Sequence, residues 1–422
     1  MAVARRLERR LRPQEAEIVV LSRENYTLFT PMLPEVTSGE LEVRHVVTPV
    51  REQLRRSRFV LADVDEVDVR ASTVRYHHVL TGRSVLQPYD HLVLALGAAT
   101  STFGLPGVEE HTWALKTLDD ADALRNHLVW LLELADTIDD ELRRKRLLTI
   151  AVVGGGFTGV EAAGEIVQLF RSVLRFYKRL RLAEVKMILV EAGLTLLAGL
   201  PAKMGEYSRR VLERDGVEVV TGDGVTGAES TGLNLQSGRR IETETIIWSA
   251  GVQPSPTVAK TALPKTKRGA IETQSDMRVV GIAGVAGVWA LGDCASIPDP
   301  EGGVYPATAQ HAIREGPALA DNIVAAMRGK PTKPFRYTSL GMMAALGGRK
   351  AVAQLPGNRV ITGFIAWFLW RTYYLLRLPG LDRKLRVAFD WTLELIFPRD
   401  TAELRFGEPQ QNVRHEEMVS GS

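Results

Sequence analysis

AVVGGGFTGVEAAGE, residues 151–165, places Gly154, Gly156 and Gly159 in G-x-G-x-x-G spacing. The apolar run that leads into the glycines, residues 147–154, predicts a buried parallel strand, and the residues after them predict a helix. The spacing alone is common in proteins. A glycine loop that follows a strand and opens a helix is much more specific, and it predicts a dinucleotide-binding unit.

The three glycines have different physical roles. Gly154 permits a tight turn, Gly156 lets the backbone approach a pyrophosphate, and Gly159 allows the helix to pack closely on the strand. The phosphates are expected at the N-terminal end of this helix, because its backbone N–H groups and dipole favour negative charge there.

Glu191 ends the next predicted strand, residues 184–191, about 32 residues after the loop instead of the usual ~20. We attribute the excess to a long basic helical segment, FRSVLRFYKRLRLA (170–183). A carboxylate at the end of this strand can bind the hydroxyl pair of a ribose. Because it repels a 2′-phosphate, it favours NADH over NADPH.

Strands alternate with helices along most of the chain. This order predicts an α/β fold with two Rossmann-like, doubly wound dinucleotide-binding domains. Residues 28–39 are expected to be irregular, since they contain two prolines. The other predicted strands are 18–21, 59–69, 73–80, 89–97, 217–221, 241–249 and 287–292, and the other predicted helices are 119–135 and 309–327.

The composition is that of an ordinary soluble protein, with 45% apolar and 24% charged residues among 422. A net charge of +3 is too small to indicate a nucleic-acid partner, and no metal site is predicted. Cys294 is the one cysteine, so no intrachain disulfide or redox-active cysteine pair can form, and disulfide reductases are excluded. We expect Cys294 to be structural and the compartment to be reducing.

A second nucleotide signal is VWALGDC, residues 288–294, a predicted strand that ends in Gly292 and Asp293. A glycine at this point lets a ligand approach the backbone, and the aspartate can hold a ribityl hydroxyl. Taken alone, a Gly-Asp pair is equally typical of an ordinary turn.

Together, the two signals resemble the flavoproteins with two dinucleotide-binding domains, and more narrowly the type II NADH:quinone oxidoreductase family. The match covers nearly the whole chain, in order. Its segments are NYTLFTPMLPEVTSG (25–39), YDHLVLALGA (89–98), FGLPGVEEHTWALKTLDDA (103–121), GGGFTGVEAAGE (154–165), IIWSAGV (246–252), LGDCA (291–295) and TAQHAIREG (308–316). The resemblance implies FAD and NADH as cofactors and a quinone as electron acceptor, without proton pumping.

The resemblance also implies roles for single residues. Gln310, near the isoalloxazine ring and the quinone pocket, and Glu161, on a proton route, are the implied catalytic residues. For Glu161 the alternative is a plain acid in the first turn of the helix, stabilised by the helix dipole. The implied cofactor-binding residues are Ser22, Gly97, Gly251, Gly292, Asp293, Thr308 and Ala309, besides Gly154, Gly156, Gly159 and Glu191.

Three positions depart from the family pattern. Glu315 stands where many members have a second glutamine, and Ser22 stands where many have an acid for the adenosine ribose. The strand end at residues 95–97 (ALG) lacks a threonine that is often present. The details of quinone contact and the strength of the ribose contact are therefore open.

The resemblance implies an FAD-binding first part at 1–118, an NADH-binding domain at 119–280, a second FAD-binding part at 281–335 and a C-terminal membrane-interface region at 336–422.

Residues 2–11 resemble the body of the first FAD-domain helix, so a strand and a glycine loop are expected before them. We attribute their absence to a start codon assigned too far downstream, with true loss of the loop as the alternative. The 422-residue form is accordingly expected to bind FAD poorly.

The C-terminal region is expected to meet a membrane at its surface. Residues 360–370 are apolar, but only eleven residues separate the flanking arginines, against the ~20 that a spanning helix needs. Residues 385–397 predict an amphipathic helix that lies in a membrane interface, with basic residues against anionic headgroups. Its polar stripe is Arg386, Asp390 and Glu394, and its apolar surface is Phe389, Trp391, Leu395 and Phe397.

We therefore expect a peripheral protein on the cytoplasmic face of a membrane. A dimer interface or a core-packing helix is the alternative for the C-terminal region, and a homodimer is open. Two other functions are also open: a soluble NAD(P)H-dependent flavin reductase for a small redox partner, and a flavin-free, membrane-associated NADH-binding protein. The aromatic and basic C-terminal region argues against the first, and the absent first loop favours the second.

Overall fold

In the computed structural model, which describes residues 1–281, 287–400 and 402, the chain forms two compact units. The chain changes unit at 27/28, 47/48, 100/101, 251/252 and 339/340, whereas the sequence predicted boundaries after residues 118, 280 and 335. Residues 28–47 lie in unit 2, because their helix packs against two long helices of that unit. Unit 1 comprises Met1–Thr27, Thr48–Thr100 and Val252–Ser339, and unit 2 comprises Leu28–Val47, Ser101–Gly251 and the described residues from Leu340 onward.

The elements are numbered here in chain order. The helices are α1 (Ala2–Arg10), α2 (Leu33–Thr37), α3 (Val50–Gln53), α4 (Val108–His111), α5 (Leu118–Thr137), α6 (Glu141–Leu147), α7 (Phe157–Val173), α8 (Ala202–Arg214), α9 (Pro256–Ala259), α10 (Ala309–Met327), α11 (Phe364–Arg377) and α12 (Leu381–Leu393). Short 3-10 helices lie at Thr30–Met32, Val43–Val46, Leu174–Phe176, Leu182–Glu184 and Gly292–Cys294. The strands are β1 (Val19–Ser22), β2 (Tyr26–Leu28), β3 (Val47–Pro49), β4 (Arg58–Asp68), β5 (Thr73–His78), β6 (Ser84–Pro88), β7 (Leu92–Leu94), β8 (Ala98–Thr100), β9 (Trp113–Ala114), β10 (Thr149–Val153), β11 (Lys186–Glu191), β12 (Val217–Thr221), β13 (Val225–Glu229), β14 (Gly232–Leu235), β15 (Arg240–Glu242), β16 (Thr245–Trp248), β17 (Val252–Pro254), β18 (Ile271–Glu272), β19 (Val288–Ala290), β20 (Ala295–Ser296), β21 (Met343–Ala345), β22 (Ala351–Leu355) and β23 (Arg359–Gly363).

Unit 2 is built on a five-stranded parallel sheet with the strand order β12-β11-β10-β16-β9. Every residue of the central strand β10 is buried, as its apolar sequence predicted. α7 packs against β10 and β11, and the antiparallel sheet β13-β14-β15 packs against alternate residues of β10, β11 and β16, among them Ala151 and Val153. The predicted parallel sheet with a glycine loop after its central strand is confirmed in this unit.

Unit 1 contains shorter parallel pairs. β1 pairs with β4, which continues through the antiparallel strands β5 and β6, and β7 pairs with β19. α1 packs along α10, and its Leu7 enters the same buried cluster as Leu319 and Ile323. The prediction that residues 2–11 form a helix is confirmed to within one residue.

Residues 28–39 are helical in part, so the prediction that this segment is irregular is wrong. They form the 3-10 helix Thr30–Met32 and then α2. Pro31 and Pro34 stand in the first turns of these two helices. Proline is tolerated there, since the first turn has no partner for its N–H and the fixed φ suits a helix.

The basic segment 170–183 is not one helix, so the prediction of a long helical segment there is wrong. α7 ends at Val173, and 3-10 turns follow at Leu174–Phe176 and Leu182–Glu184. Residues 175–179 (RFYKR) offer no continuous apolar face that could hold further helical turns against the sheet.

The C-terminal part of unit 2 consists of the antiparallel sheet β21-β22-β23 followed by α11 and α12. α12 begins before the helix predicted at 385–397, and its polar stripe points inward in part. An Asp390 carboxylate oxygen lies 2.5 Å from His45 Nδ1. Trp391, predicted on the apolar surface, is buried and lies next to Trp370, with 6.4 Å between ring centroids.

Large apolar side chains are nevertheless exposed along both C-terminal helices. We call this set the apolar C-terminal surface. Its members are Phe364, Ile365, Phe368 and Leu376 on α11 and Leu381, Leu385 and Phe389 on α12. Within the described residues, we find no helix with the length and hydropathy needed to cross a membrane.

Candidate functional site

The glycine loop of unit 2 has little room for side chains. Gly154 has a φ of +110°, and a Cβ built on it would lie 2.7 Å from the Cα of Ala250. A Cβ on Gly159 would lie 1.9 Å from the carbonyl oxygen of Gly154, so α7 meets the loop in direct backbone contact. Gly156 is the cap residue of α7, and a Cβ there would meet none of the described atoms within 4 Å. This open side, at the start of a helix, fits the pyrophosphate of a dinucleotide.

Glu191 is bound to the same loop. It ends β11, and its carboxylate accepts hydrogen bonds from the N–H groups of Gly155 and Gly193, both at 2.6 Å. A carboxylate has about four lone-pair positions, so two remain for the hydroxyls of a ribose. Glu191 therefore anchors the loop in addition to its predicted role toward NADH.

The carboxyl ends of β10 and β16 meet beside the loop. Ser249 Oγ donates a hydrogen bond to the carbonyl oxygen of Val153 at 2.8 Å. β10 leads through α7 to β11 on one side, while β16 lies on the other side, which makes this edge a topological switch point. In open α/β sheets, ligands bind in the crevice at such a point.

Gly251 follows β16 and was predicted to bind a cofactor. A Cβ on Gly251 would lie 2.4 Å from Cζ of Phe103, so a larger residue there would force the phenylalanine ring to move. Phe103 was not among the predicted site residues. Its signal in the sequence is weak, since nothing in the segment FGLPG indicates where the ring points.

Unit 1 contains the second predicted nucleotide signal. Gly97 has a φ of +66°, and a Cβ on it would meet none of the described atoms within 4 Å, so a ligand can approach its backbone. Gly292 opens the 3-10 helix that also contains Asp293, and its N–H donates to a Glu315 carboxylate oxygen at 2.7 Å. Burial raises the pKa of Glu315 to about 7. Glu315, which departs from the family pattern, thus supports the Gly-Asp turn.

The N-terminus of α10 orders the other predicted residues of unit 1. Thr308 caps the helix, with its Oγ1 2.7 Å from His311 Nδ1, and Ala309 is the first helical residue. The amide oxygen of Gln310 accepts hydrogen bonds from the hydroxyls of Tyr337 and Ser339, both at 3.0 Å. Its side chain is therefore held in one orientation in the first turn of the helix.

Two further predicted residues of unit 1 have simple surroundings. Ser22 is the last residue of β1, and its Oγ accepts a hydrogen bond from the N–H of Glu24 at 3.3 Å. Cys294 is buried, and burial raises the pKa of its thiol to about 11. The thiol is therefore protonated and unreactive at neutral pH, as expected of a structural cysteine.

Glu161 lies in the second turn of α7, not in the first as predicted. It is buried, and one carboxyl oxygen accepts a hydrogen bond from the N–H of Ala345 at 3.0 Å. Burial raises the pKa of Glu161 to about 8 despite this hydrogen bond. The alternative interpretation, a plain acid in the first turn of the helix that is stabilised by the helix dipole, does not describe this buried position in the second turn.

Glu161 belongs to a buried acid cluster of unit 2 that the sequence did not reveal. One turn further along α7, Glu165 contacts Arg399 at 2.8 Å, and Arg399 also contacts Glu40 at 2.9 Å. Arg371 on α11 forms a second ion pair with Glu40. The buried acids are Glu35, Glu40, Glu161 and Glu165.

Four carboxyl groups in this cluster face two guanidinium groups, so full ionisation would leave two uncompensated negative charges. Burial, followed by the charge of Glu40, raises the pKa of Glu35 well above its usual value. With Glu161 also shifted upward, the cluster holds protons at neutral pH. The spacing of Glu161 and Glu165, four residues apart within the largely apolar stretch 159–167 of α7, is the sequence signal that could have indicated a shared buried face.

Comparisons with known proteins agree with this geometry. Residues 1–316 match the family model described as pyridine nucleotide-disulphide oxidoreductase, and residues 340–400 match the NDH2 C-terminal domain. The chain is 31% identical over 406 residues to a type II NADH:quinone oxidoreductase of Mycobacterium tuberculosis, covering 93% of this chain and 85% of the relative. It is 33% identical over 419 residues to the mitochondrial internal alternative NAD(P)H-ubiquinone oxidoreductase A1 of Arabidopsis thaliana, covering 92% and 81%.

Among solved structures, the fold is similar to that of NDH2 from Plasmodium falciparum in complex with NADH. The TM-score is 0.87 at 20% identity, and the match covers 94% of this chain and 97% of that one. Three features thus point to the same family: the glycine loop with its anchored acid, the second nucleotide motif and the matched C-terminal domain. The chain belongs to the pyridine nucleotide-disulphide oxidoreductases and, within them, to the FAD-dependent type II NADH:quinone oxidoreductases.

Proposed function

We propose that unit 2 binds NADH on its glycine loop, that unit 1 binds FAD, and that the chain uses both to reduce a quinone without pumping protons. The observation that supports the NADH assignment best is the loop itself. Its one open glycine, Gly156, stands at the start of α7, and Glu191 is held against the loop by a 2.6 Å hydrogen bond from the N–H of Gly155. Among the members of this family, FAD supplies the chemistry of hydride acceptance and electron transfer.

The chain's own residues then bind and orient the reactants. Backbone N–H groups at the start of α7 would donate to the pyrophosphate of NADH, and Glu191 would accept from its ribose hydroxyls. In unit 1, Gly97 and Asp293 would contact FAD, with Ser22 near its ribose. Gln310, fixed by two hydroxyl donors, would present its amide N–H₂ group toward the flavin and the quinone.

Gly156→Ala tests the binding of NADH at the loop. The new Cβ would meet none of the described atoms within 4 Å, so the variant should melt at the temperature of the wild type. It would occupy the space through which the pyrophosphate approaches, and KM for NADH should rise at least about tenfold. Steady-state oxidation of NADH with a water-soluble quinone, together with a melting curve, measures both. An unchanged KM would show that NADH does not approach this glycine.

Glu161 is proposed to take part in delivering protons to the reduced quinone. It is buried, and its raised pKa of about 8 means that it carries a proton at pH 7. A neutral carboxylic acid can donate that proton, and the backbone N–H of Ala345 then stabilises the carboxylate that is left.

The apolar C-terminal surface is proposed to lie in a membrane interface, where a lipid-soluble quinone is available. Phenylalanine, leucine and isoleucine side chains are exposed on α11 and α12, and Arg377, Arg383, Lys384 and Arg386 lie among them in sequence. This combination of apolar and basic residues is typical of interfacial helices. We place the protein at the cytoplasmic face, since its single cysteine suits a reducing compartment.

Phe368→Glu tests the membrane assignment, because Phe368 is 58% exposed on α11 and its replacement leaves the packed side of the helix intact. Co-sedimentation with vesicles that contain anionic phospholipid should fall strongly. Phe176→Glu, at a residue of unit 2 that is 57% exposed outside these helices, is the matched control and should bind like the wild type. Equal binding of both variants would contradict the proposal. Deleting the helices is a poorer test, since Arg371 belongs to the buried acid cluster.

A further inference from the structure

Phe103 is strained and exposed at the same time. Its φ is +53°, and its side chain is 62% exposed. A bulky residue at positive φ is an outlier that persists only where the surroundings over-determine it, and such residues cluster at ligand sites. In a glycine-containing loop (FGLPG), the strained position could have been a glycine, so its occupation by an aromatic residue calls for a function.

The ring of Phe103 is fixed on one side only. It covers Gly251, at which a Cβ would come within 2.4 Å of the ring, and it meets Trp248 edge-on with 6.4 Å between centroids. Trp248 is itself held by a 2.8 Å hydrogen bond from its Nε1 to the carbonyl oxygen of Ser101. The contacts with Gly251 and with the buried Trp248 therefore set the position of the ring, while its other side is left open to solvent.

The ring lies at the carboxyl edge of the parallel sheet, beside the proposed NADH site. Gly251 lies just beyond β16, and Ser249, directly after that strand, contacts the carbonyl oxygen of Val153 at the end of β10 and that of Gly154 in the glycine loop at 3.4 Å. Glu191 stands at the end of β11, on the opposite side of β10. A dinucleotide that places its pyrophosphate on the loop and its adenosine ribose on Glu191 extends its other half toward β16.

We propose that the open side of the Phe103 ring is the contact of unit 2 for the nicotinamide half of NADH. A flat aromatic surface suits the planar nicotinamide ring, and a ring already in contact with Gly251 and Trp248 loses little freedom on binding. Phe103 is then a binding residue that orients the reactive half of the dinucleotide. This inference rests on the proposed position of NADH on the glycine loop.

The test compares two ligands on the purified, flavin-loaded protein in its oxidised form. NAD⁺ contains the nicotinamide half, whereas ADP-ribose lacks the nicotinamide ring but keeps the pyrophosphate and the adenosine. Isothermal titration calorimetry of Phe103→Ala should show the Kd of NAD⁺ raised about fivefold or more. The Kd of ADP-ribose should be unchanged. Phe103→Tyr, which keeps the ring, should bind NAD⁺ like the wild type.

Phe176→Ala is the matched control, since it removes a similarly exposed phenylalanine elsewhere in unit 2 and should leave both affinities unchanged. Phe103→Gly relieves the positive φ as well as removing the ring, so it should lose NAD⁺ affinity without any loss of thermal stability. Wild-type affinity of Phe103→Ala for NAD⁺ would overturn the inference, and so would an equal loss for NAD⁺ and ADP-ribose. If the wild type bound neither ligand, the position of NADH on the loop would itself be wrong and the inference would fall with it.

Discussion

Glu191→Gln should damage the glycine loop itself, beyond any change in the choice between NADH and NADPH. The carboxylate accepts from two backbone donors, the N–H groups of Gly155 and Gly193, each at 2.6 Å. A glutamine side chain has one acceptor oxygen and one N–H₂ group. Whichever way the amide turns, one backbone N–H loses its acceptor and faces another donor.

The size of the effect follows from these two contacts. A hydrogen bond to a charged group contributes about 1.5–3 kcal/mol, and Glu191 is half-buried, so we take about 2 kcal/mol for the loss. For a unit of this size that corresponds to a fall in Tm of about 4 to 8 °C. NADH affinity should fall as well, because the loop proposed to bind the pyrophosphate loses part of its attachment to β11 and keeps the hydrogen bond from the N–H of Gly154 to the carbonyl oxygen of Val190.

The assay is a melting curve with and without NAD⁺, followed by KM for NADH and for NADPH. Glu206→Gln, which removes the same charge from an exposed position on α8, is the control and should leave both quantities unchanged. If Glu191 acted only by repelling a 2′-phosphate, Glu191→Gln would gain activity with NADPH and keep the wild-type Tm. That result would refute the anchoring role.

Three further predictions concern the stability of unit 2. Gly159→Ala places a Cβ 1.9 Å from the carbonyl oxygen of Gly154, so the free energy of unfolding should fall by about 3 kcal/mol. Urea unfolding should show this as a lower midpoint, and an unshifted midpoint would show that α7 can move away from the loop. Because burial raises the pKa of Glu161 from 4.5 to about 8, the folded state binds its proton more tightly than the unfolded state. The contribution of Glu161 to the free energy of unfolding should therefore be largest below pH 4.5 and should fall by up to ~1.4 kcal/mol per pH unit as the pH rises toward 8. Glu161→Gln should flatten that fall, as measured by urea titrations at pH 5 and pH 8. Arg399→Met leaves Glu40 and Glu165 short of a cation and should cost about 3–5 kcal/mol, while Arg399→Lys should cost less; equal stability of both variants would argue against ion pairing in the cluster.

The dinucleotide-binding part of the fold could be predicted because its signals are local. The buried strand, the glycine loop and α7 follow one another within residues 149–173, and each leaves its own pattern in the sequence. The same holds for α10, whose predicted bounds, 309–327, are those of the structure. Such elements depend on periodicity and on capping residues such as Thr308, which act over three or four positions.

The buried acid cluster could not be predicted, because its members are far apart in the sequence. Glu40 and Arg399 are separated by 359 positions, and nothing near either residue indicates the other. A lone glutamate in a sequence is ordinarily exposed, so only the packing of α2, α7 and α11 shows that these are buried. Phe103 was missed for a related reason, since its strained φ and its contact with Gly251 arise only in the folded chain.

The ion pairs of Arg399 also have a consequence for synthesis of the chain. Glu165 leaves the ribosome 234 residues before Arg399, which at ordinary translation rates of about 5–20 residues per second is a delay of roughly 12–47 s. During that interval α7 can pack on its sheet, but its buried carboxylate has no arginine from the C-terminal segment beside it. Unit 2 can therefore reach its final charge balance only after residue 399 has been synthesised, and a nascent chain stalled before that residue should expose the acids of this cluster to water.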